Sequence, residues 1–319
     1  MKHVQREGCY LGVRFAVHLS PELKLGELDG FLDSHFAACA PGPAPGWTIR
    51  VIPETDSPLS VGRGISLWTE PSGTVTLTDW DYRIRYHSVP KRADGWLVIQ
   101  DVYCGIRRLA MITHGACAML HAACVKIRGR VILLLGEKAS GKGVAMHRLI
   151  MQHGACYIAG DKVCVWLDRQ GVPACSGLIS AVRIRLADQS LLADAPAHAS
   201  AFARATELAS GPSRLLGDKV CLAPAEYCHL TRTAALPLAR PGVLILLGGG
   251  TAAHHRIDDA SPVAAAEPET RRLSAVLNSE NADRVLEVLT GVCSSHACDR
   301  RPDSAALKAL IDSSASSSE

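Results

Sequence analysis

The run Gly136-Glu137-Lys138-Ala139-Ser140-Gly141-Lys142-Gly143 has residue types and spacing that suit a phosphate ligand. It fits G-x-x-x-x-G-K, with an apolar, strand-like stretch before it and a helix-like stretch from Val144 after it. Glycines let a loop backbone curl around phosphate oxygens so that its N–H groups point at them. The N-terminus of the following helix adds the positive end of its dipole. Lys142 adds a full positive charge for the outer phosphates. The pattern normally continues with Ser or Thr, whose hydroxyl holds Mg²⁺, and here that position is Gly143. The competing reading is an ordinary strand-to-helix turn with a surface lysine.

Other residues could serve the same chemistry. Asp161 follows a strand-like stretch and offers the hard oxygen donor that Mg²⁺ prefers. His121, 21 residues before Lys142, has an imidazole that titrates near neutrality. It could take a proton or orient Asp161. A buried, hydrogen-bonded histidine and a turn aspartate are the alternatives. Arg183 and Arg185 alternate on a strand-like stretch, so both face one side, toward an anion or toward solvent. His254-His255 and the stretch 295–298 have no partner pair at metal-ligand spacing and read as loop or surface.

These residues need elements to position them. Strands are expected at 48–52, 65–69, 74–78, 83–87, 125–127, 131–135, 155–159, 162–167, 182–186 and 242–247. Helices are expected at 21–36 and 144–152 (closed by Gly154), one or two over 269–288, and short helices with loop at 188–217. Residues 40–46 read as a linker and 313–319 as a disordered tail. Trp68, Trp80, Tyr82 and Tyr86 read as core packing, with ligand binding as the alternative. The fold class is α/β, with a mixed sheet flanked by helices and preceded by a smaller β-rich domain. The expected boundaries are 1–110, 111–302 and a partly disordered tail over 303–319.

The chain has 319 residues, of which 48% are hydrophobic and 20% charged, enough to bury a core. Its formal net charge of +3 argues against a global polyanion-binding field, so no nucleic acid partner is expected. Apolar runs are strand-sized and fall short of a membrane span, and residues 1–6 lead into mixed polar sequence with no signal peptide. The 12 cysteines include no C-x-x-C and read as reduced, buried thiols of a cytoplasmic protein.

From about residue 120 to 168 the sequence resembles the catalytic domain of the HPr kinase/phosphorylase family, a P-loop group related to phosphoenolpyruvate carboxykinase. The resemblance rests on His121, two strands, the 136–143 loop, a helix, Gly154, a strand and Asp161. It departs at Gly143 and at Gly160, where the family has the first of two aspartates, and the helix is one residue longer.

The resemblance implies a P-loop kinase core that transfers the γ-phosphoryl group of ATP, with Mg²⁺ on Asp161, to a hydroxyl of a peptide, protein or small metabolite. His121, Lys142 and Asp161 would be catalytic. The nucleotide would lie on Gly136 to Val144 and on Lys219, read as a mobile-loop lysine or else a solvated one. A nucleotide-binding module without transfer, and transfer run backward, are the alternatives. The family often forms homo-oligomers, and this sequence carries no oligomer signal. Acceptor recognition is expected in the first 110 residues.

Overall fold

The computed structural model describes residues 4–23, 46–58, 64–70, 72–177, 181–185, 215–248, 252–257, 268–299 and 302–316, with single positions at 25, 28, 32 and 36. Most of the expected helix at 21–36, of the linker at 40–46 and of the 188–217 segment lies outside these residues. The chain divides into two compact units, residues 1–115 with 259–276, and residues 116–258 with 277–319.

The first unit is built on a sheet of β1 (Val4–Tyr10), β2 (Val13–Leu19), β3 (Trp47–Pro53), β4 (Ile65–Thr69), β5 (Val75–Asp79) and β6 (Ile84–Val89), in the order β1-β2-β3-β6-β5-β4. Helix α1 (Gly95–His114) has no counterpart among the expected elements. Its signals are local. Asp94 caps the first turn by accepting from the backbone N–H of Trp96 and Leu97, and Gly115 closes the last turn in the left-handed region at φ 73°. The aromatic reading is corrected: Trp68 is 39% and Tyr82 79% exposed, so neither is core. Trp80 instead packs edge-on against Trp47 and under the Arg272 guanidinium. Cys9 is disulfide-bonded, whereas every described cysteine from position 104 onward is a free thiol.

Arg85 on β6 is a fully buried charge in this unit. It donates to Glu269 Oε2 at 2.7 Å, on the helix Pro268–Leu277 (α4), and to Glu70 Oε1 at 3.2 Å. A Cβ on Gly105 of α1 would lie 2.8 Å from both Cζ and Nε of Arg85. Glycine at 105 therefore gives the guanidinium its place beside the helix.

The second unit is mixed α/β. Its larger sheet comprises β8 (Ala122–Ile127), β9 (Arg130–Gly136), β10 (Cys156–Ala159), β16 (Val243–Leu247) and β17 (Ser294–Cys298), in the order β10-β8-β9-β16-β17. A smaller one holds β7 (Cys117–Leu120), β11 (Val163–Leu167) and β12 (Pro173–Gly177), in the order β12-β11-β7. The third pairs β13 (Val182–Arg185) with β15 (Lys219–Leu222), and β15 with the short β14 (Leu215–Leu216).

Strand alternation assigns each residue of the larger sheet to a face. Ile132, Leu134, Val243 and Ile245 pack with Ala145 and Leu149 of α2 (Lys142–His153). Leu133, Leu135 and Leu244 pack with Val285 and Leu289 of α5 (Glu280–Val292). Helix α6 (Ser304–Ser316) occupies most of the segment expected as a tail. Leu307 and Ile311, one turn apart, join the α2 side of the core, and that burial keeps the segment folded.

In a helix interior, Gly→Ala ordinarily stabilises by about 0.5–1 kcal/mol. We expect Gly105→Ala to destabilise by about 1–3 kcal/mol instead, because the new methyl displaces a buried arginine held by two carboxylates. Urea unfolding monitored by circular dichroism checks the sign. Stabilisation would mean that Arg85 moves aside freely.

Candidate functional site: a cationic cavity at the 136–143 loop

The chain changes sheets twice at one level, and the two changes form the centre of the site. β7 pairs with β11, and β8, only one residue later, pairs with β9 and β10. That one residue is His121. The return path runs from β10 to β11 through residues 160–162, which contain Asp161. Leu120 and Val163 are partners on one side of the change, Cys124 and Ala159 on the other. The two kinks are thereby adjacent, and His121 Nε2 lies 3.1 Å from Asp161 Oδ1.

The hydrogen bond from His121 lowers the Asp161 carboxyl below its ordinary value, against an opposing effect of burial, and the His121, Arg183 and Lys162 charges add to the lowering. Asp161 is therefore an anion at neutral pH, an acceptor only, so Nε2 of His121 must carry the proton they share. In the neutral imidazole the lone pair of His121 is then on Nδ1.

The 136–143 loop leaves β9 beside this pair. A Cβ at Gly136 would lie 2.4 Å from Ser140 Oγ and 2.8 Å from the Leu247 carbonyl oxygen, so the turn closes only around glycine. Gly141, at φ 97°, occupies the left-handed region and opens α2. Ser140 is buried beneath the loop, and its backbone N–H donates to the Glu137 carbonyl. Lys142 is 6% exposed and folds back on its own loop, donating to the carbonyls of Gly136 and Glu137 at 2.6 and 2.8 Å. Burial lowers its ammonium to about 8, with Asp161 and Glu137 opposing.

One cavity collects most of the expected residues. His121, Asp161, Lys138, Lys142 and Lys219 line it, as do Ala139, Gly141, Gly143 and Val144 of the loop and helix. Glu137 faces a neighbouring open cavity that shares His121, Lys138 and Asp161 and is also lined by Lys162, His255 and Arg256. Gly136 and Ser140 shape the loop without lining either cavity. His255 was expected in a loop or at the surface. It is buried, and its carbonyl accepts from the His121 N–H at 2.8 Å.

Arg183 and Arg185 both line the first cavity, which settles which way that side of β13 faces. His147 also lines it and was missed in the sequence. It is buried on α2, its Nδ1 lies 2.6 Å from the Tyr227 hydroxyl, and burial holds its imidazole down to about 4, neutral under ordinary conditions. Its signal is weak, a histidine five residues after Lys142, a spacing that does not share one helix face.

Among the described residues, no group of three or more His, Cys, Asp or Glu side chains could hold a metal by itself. Among the described residues, Asp161 is the one carboxylate on the first cavity, and His121 engages its Oδ1. That suits a Mg²⁺ ion that arrives largely coordinated by phosphate. A Cβ at Gly143 would meet nothing within 4 Å, and one at Gly160 only atoms 3.7 Å away or more, so space does not dictate glycine at either position.

No protein-family model matches this chain, and no curated protein matches it in sequence. Among the described residues, no helix is long and apolar enough to cross a membrane.

An oligophosphate seated on the loop would favour the charged form of Lys142 and raise its ammonium above about 8. Binding of inorganic triphosphate at pH 8 should therefore take up part of a proton. Calorimetry in two buffers of different ionisation enthalpy measures that uptake. It should vanish in Lys142→Ala, and affinity should fall as pH rises through about 8. Binding with no buffer dependence would place Lys142 outside the phosphate contact.

Proposed function

We propose that this chain is an ATP-dependent kinase with a P-loop core, and that it transfers the γ-phosphoryl group to a hydroxyl of a peptide, protein or small metabolite. The observation that carries this reading is the His121–Asp161 pair at 3.1 Å, on the same cavity as Lys142 and the 136–143 loop. Phosphoryl transfer needs the phosphates held, their charge neutralised and a proton taken from the attacking hydroxyl. Loop N–H groups and Lys142 serve the first two needs. Asp161 would hold Mg²⁺, which when bound shields the phosphate oxygens and the leaving group. His121 Nδ1 takes the acceptor proton as the new O–P bond forms and the bond from the β,γ-bridging oxygen to γ-phosphorus breaks, ADP leaving with that electron pair. Asp161 orients the imidazole through Nε2–H and stabilises the imidazolium.

Gly143 and Gly160 favour a second reading, a module that binds nucleotide without transferring phosphate. Each lacks a group that the resembled family uses on metal or proton, and neither is imposed by space.

The test is phosphate release from ATP by the full chain with Mg²⁺, water standing in for the acceptor. The kinase reading expects release that falls about 100-fold or more in Lys142→Ala and Asp161→Asn. It also expects His121→Gln to lose about 100-fold. Turnover unchanged by all three substitutions would remove it. ATP binding without turnover, with turnover gained in Gly143→Ser/Gly160→Asp, would establish the second reading.

A further inference from the structure

Three cations stand together on the β13–β15 pair. Arg183 and Arg185 share a face of β13 two residues apart, and Arg185 is directly opposite Lys219 in the antiparallel register. Like charges directly opposite one another across a sheet destabilise it. Arg185 Nε lies 4.0 Å from the carboxylate of Asp218, which is 64% exposed and does not line the cavity. Lys219 and both arginines line the cavity that Lys142 faces. A sheet face that pays for three adjacent cations and turns them into a cavity is built to meet an anion.

The charge of the cavity says which anion. Among the described residues, five cationic side chains (Lys138, Lys142, Arg183, Arg185 and Lys219) and one carboxylate, Asp161, line the cavity, an excess of four positive charges in that set. A metal-free nucleoside triphosphate carries about four negative charges at neutral pH, and its Mg²⁺ complex about two fewer. A site with that excess is matched to the metal-free form. The side-chain chemistry agrees: Gly143 supplies no hydroxyl to a metal, while the planar guanidinium fork binds phosphate oxygens two at a time.

Resting on the nucleotide reading above, we propose that Arg183, Arg185 and Lys219 form a phosphate clamp that takes over the charge neutralisation a divalent cation otherwise provides. The site then binds metal-free triphosphate about as tightly as the Mg²⁺ complex. Asp161 is left to affect turnover more than affinity.

Calorimetry on the full chain tests this, with ATP in EDTA and ATP in Mg²⁺, and with inorganic triphosphate and AMP as further probes. The two ATP dissociation constants should agree within about threefold. Inorganic triphosphate should bind in EDTA and AMP should bind far more weakly. Arg183→Gln/Arg185→Gln should weaken metal-free ATP about tenfold or more, because it removes two charged contacts to phosphate. Lys219→Gln gives a second, single-site variant, and wild-type affinity should fall steeply with salt, less so in the double variant. ATP binding seen only with Mg²⁺ would leave the nucleotide reading standing and overturn the clamp. So would EDTA binding that Lys142→Ala abolishes but neither the arginine nor the Lys219 variant weakens. No ATP binding in either buffer would overturn the nucleotide reading, and the clamp with it.

Discussion

The second unit depends on two neighbouring segments leaving one sheet for another at the same level. A strand inside a sheet spends its N–H and C=O groups on its neighbours and fixes its side chains alternately up and down. At a change of sheet that ladder lapses for a residue or two, and a side chain can point along the sheet edge. His121 occupies one lapse and Asp161 the other. The pairing of β7 with β11 and of β8 with β10 on either side brings the two lapses together. The pair is then held by backbone ladders far stronger than its own hydrogen bond. Residues 40 positions apart keep a 3.1 Å contact with 29% and 42% of their side chains still exposed.

The loop is held by the same sheet through its buried centre. β9 lies between antiparallel β8 and parallel β16, with apolar side chains on both faces. Its end is fixed where Leu247 pairs with Gly136 and leaves no room for a Cβ. A loop anchored so firmly at its start, and at its end by the Gly141 turn into α2, holds Lys142 with little freedom. Without an anion the ammonium satisfies itself on two loop carbonyls, and the cost of burying it shows as an ammonium lowered to about 8. A phosphate in the cavity offers that charge a better partner than neutral carbonyls do.

Much of this was legible in the sequence, for a physical reason. The loop, its strand and its helix are contiguous, so spacing alone predicts them. Strands β3 to β6, β9, β11, β13 and β16 are short apolar or alternating runs bounded by turns, a local signal. Helix α1 was not foreseen, because its β-branched and aromatic residues resemble a strand and only the caps at Asp94 and Gly115 betray it. Helix α6 was read as tail because Leu307 and Ile311 are few, and their burial is a tertiary fact. The His121–Asp161 distance and the cavity face of Arg183 and Arg185 depend on strand pairing, which no window of sequence contains. The aromatic reading failed for the converse reason: Trp68 and Tyr82 look like core by type, yet one lies on an edge strand and the other in a turn.

Gly143 and Gly160 tie the site's chemistry to its charge. Neither glycine is required by packing, so each leaves the proposed nucleotide site without an oxygen donor that the resembled family carries at that position. With Lys138, Lys142, Arg183, Arg185 and Lys219 on the cavity and few oxygen donors among the described residues, the proposed site would lean on its ligand's own negative charge. Each loss on the metal side makes direct contact between cation and phosphate count for more, since less of the phosphate charge is screened before it meets the protein. The remaining carboxylate is then worth more as the partner that fixes the His121 tautomer than as one ligand among several. Metal-poor donors, a cationic strand pair and a histidine held by the one remaining carboxylate are thus three expressions of a single redistribution of charge around the 136–143 loop.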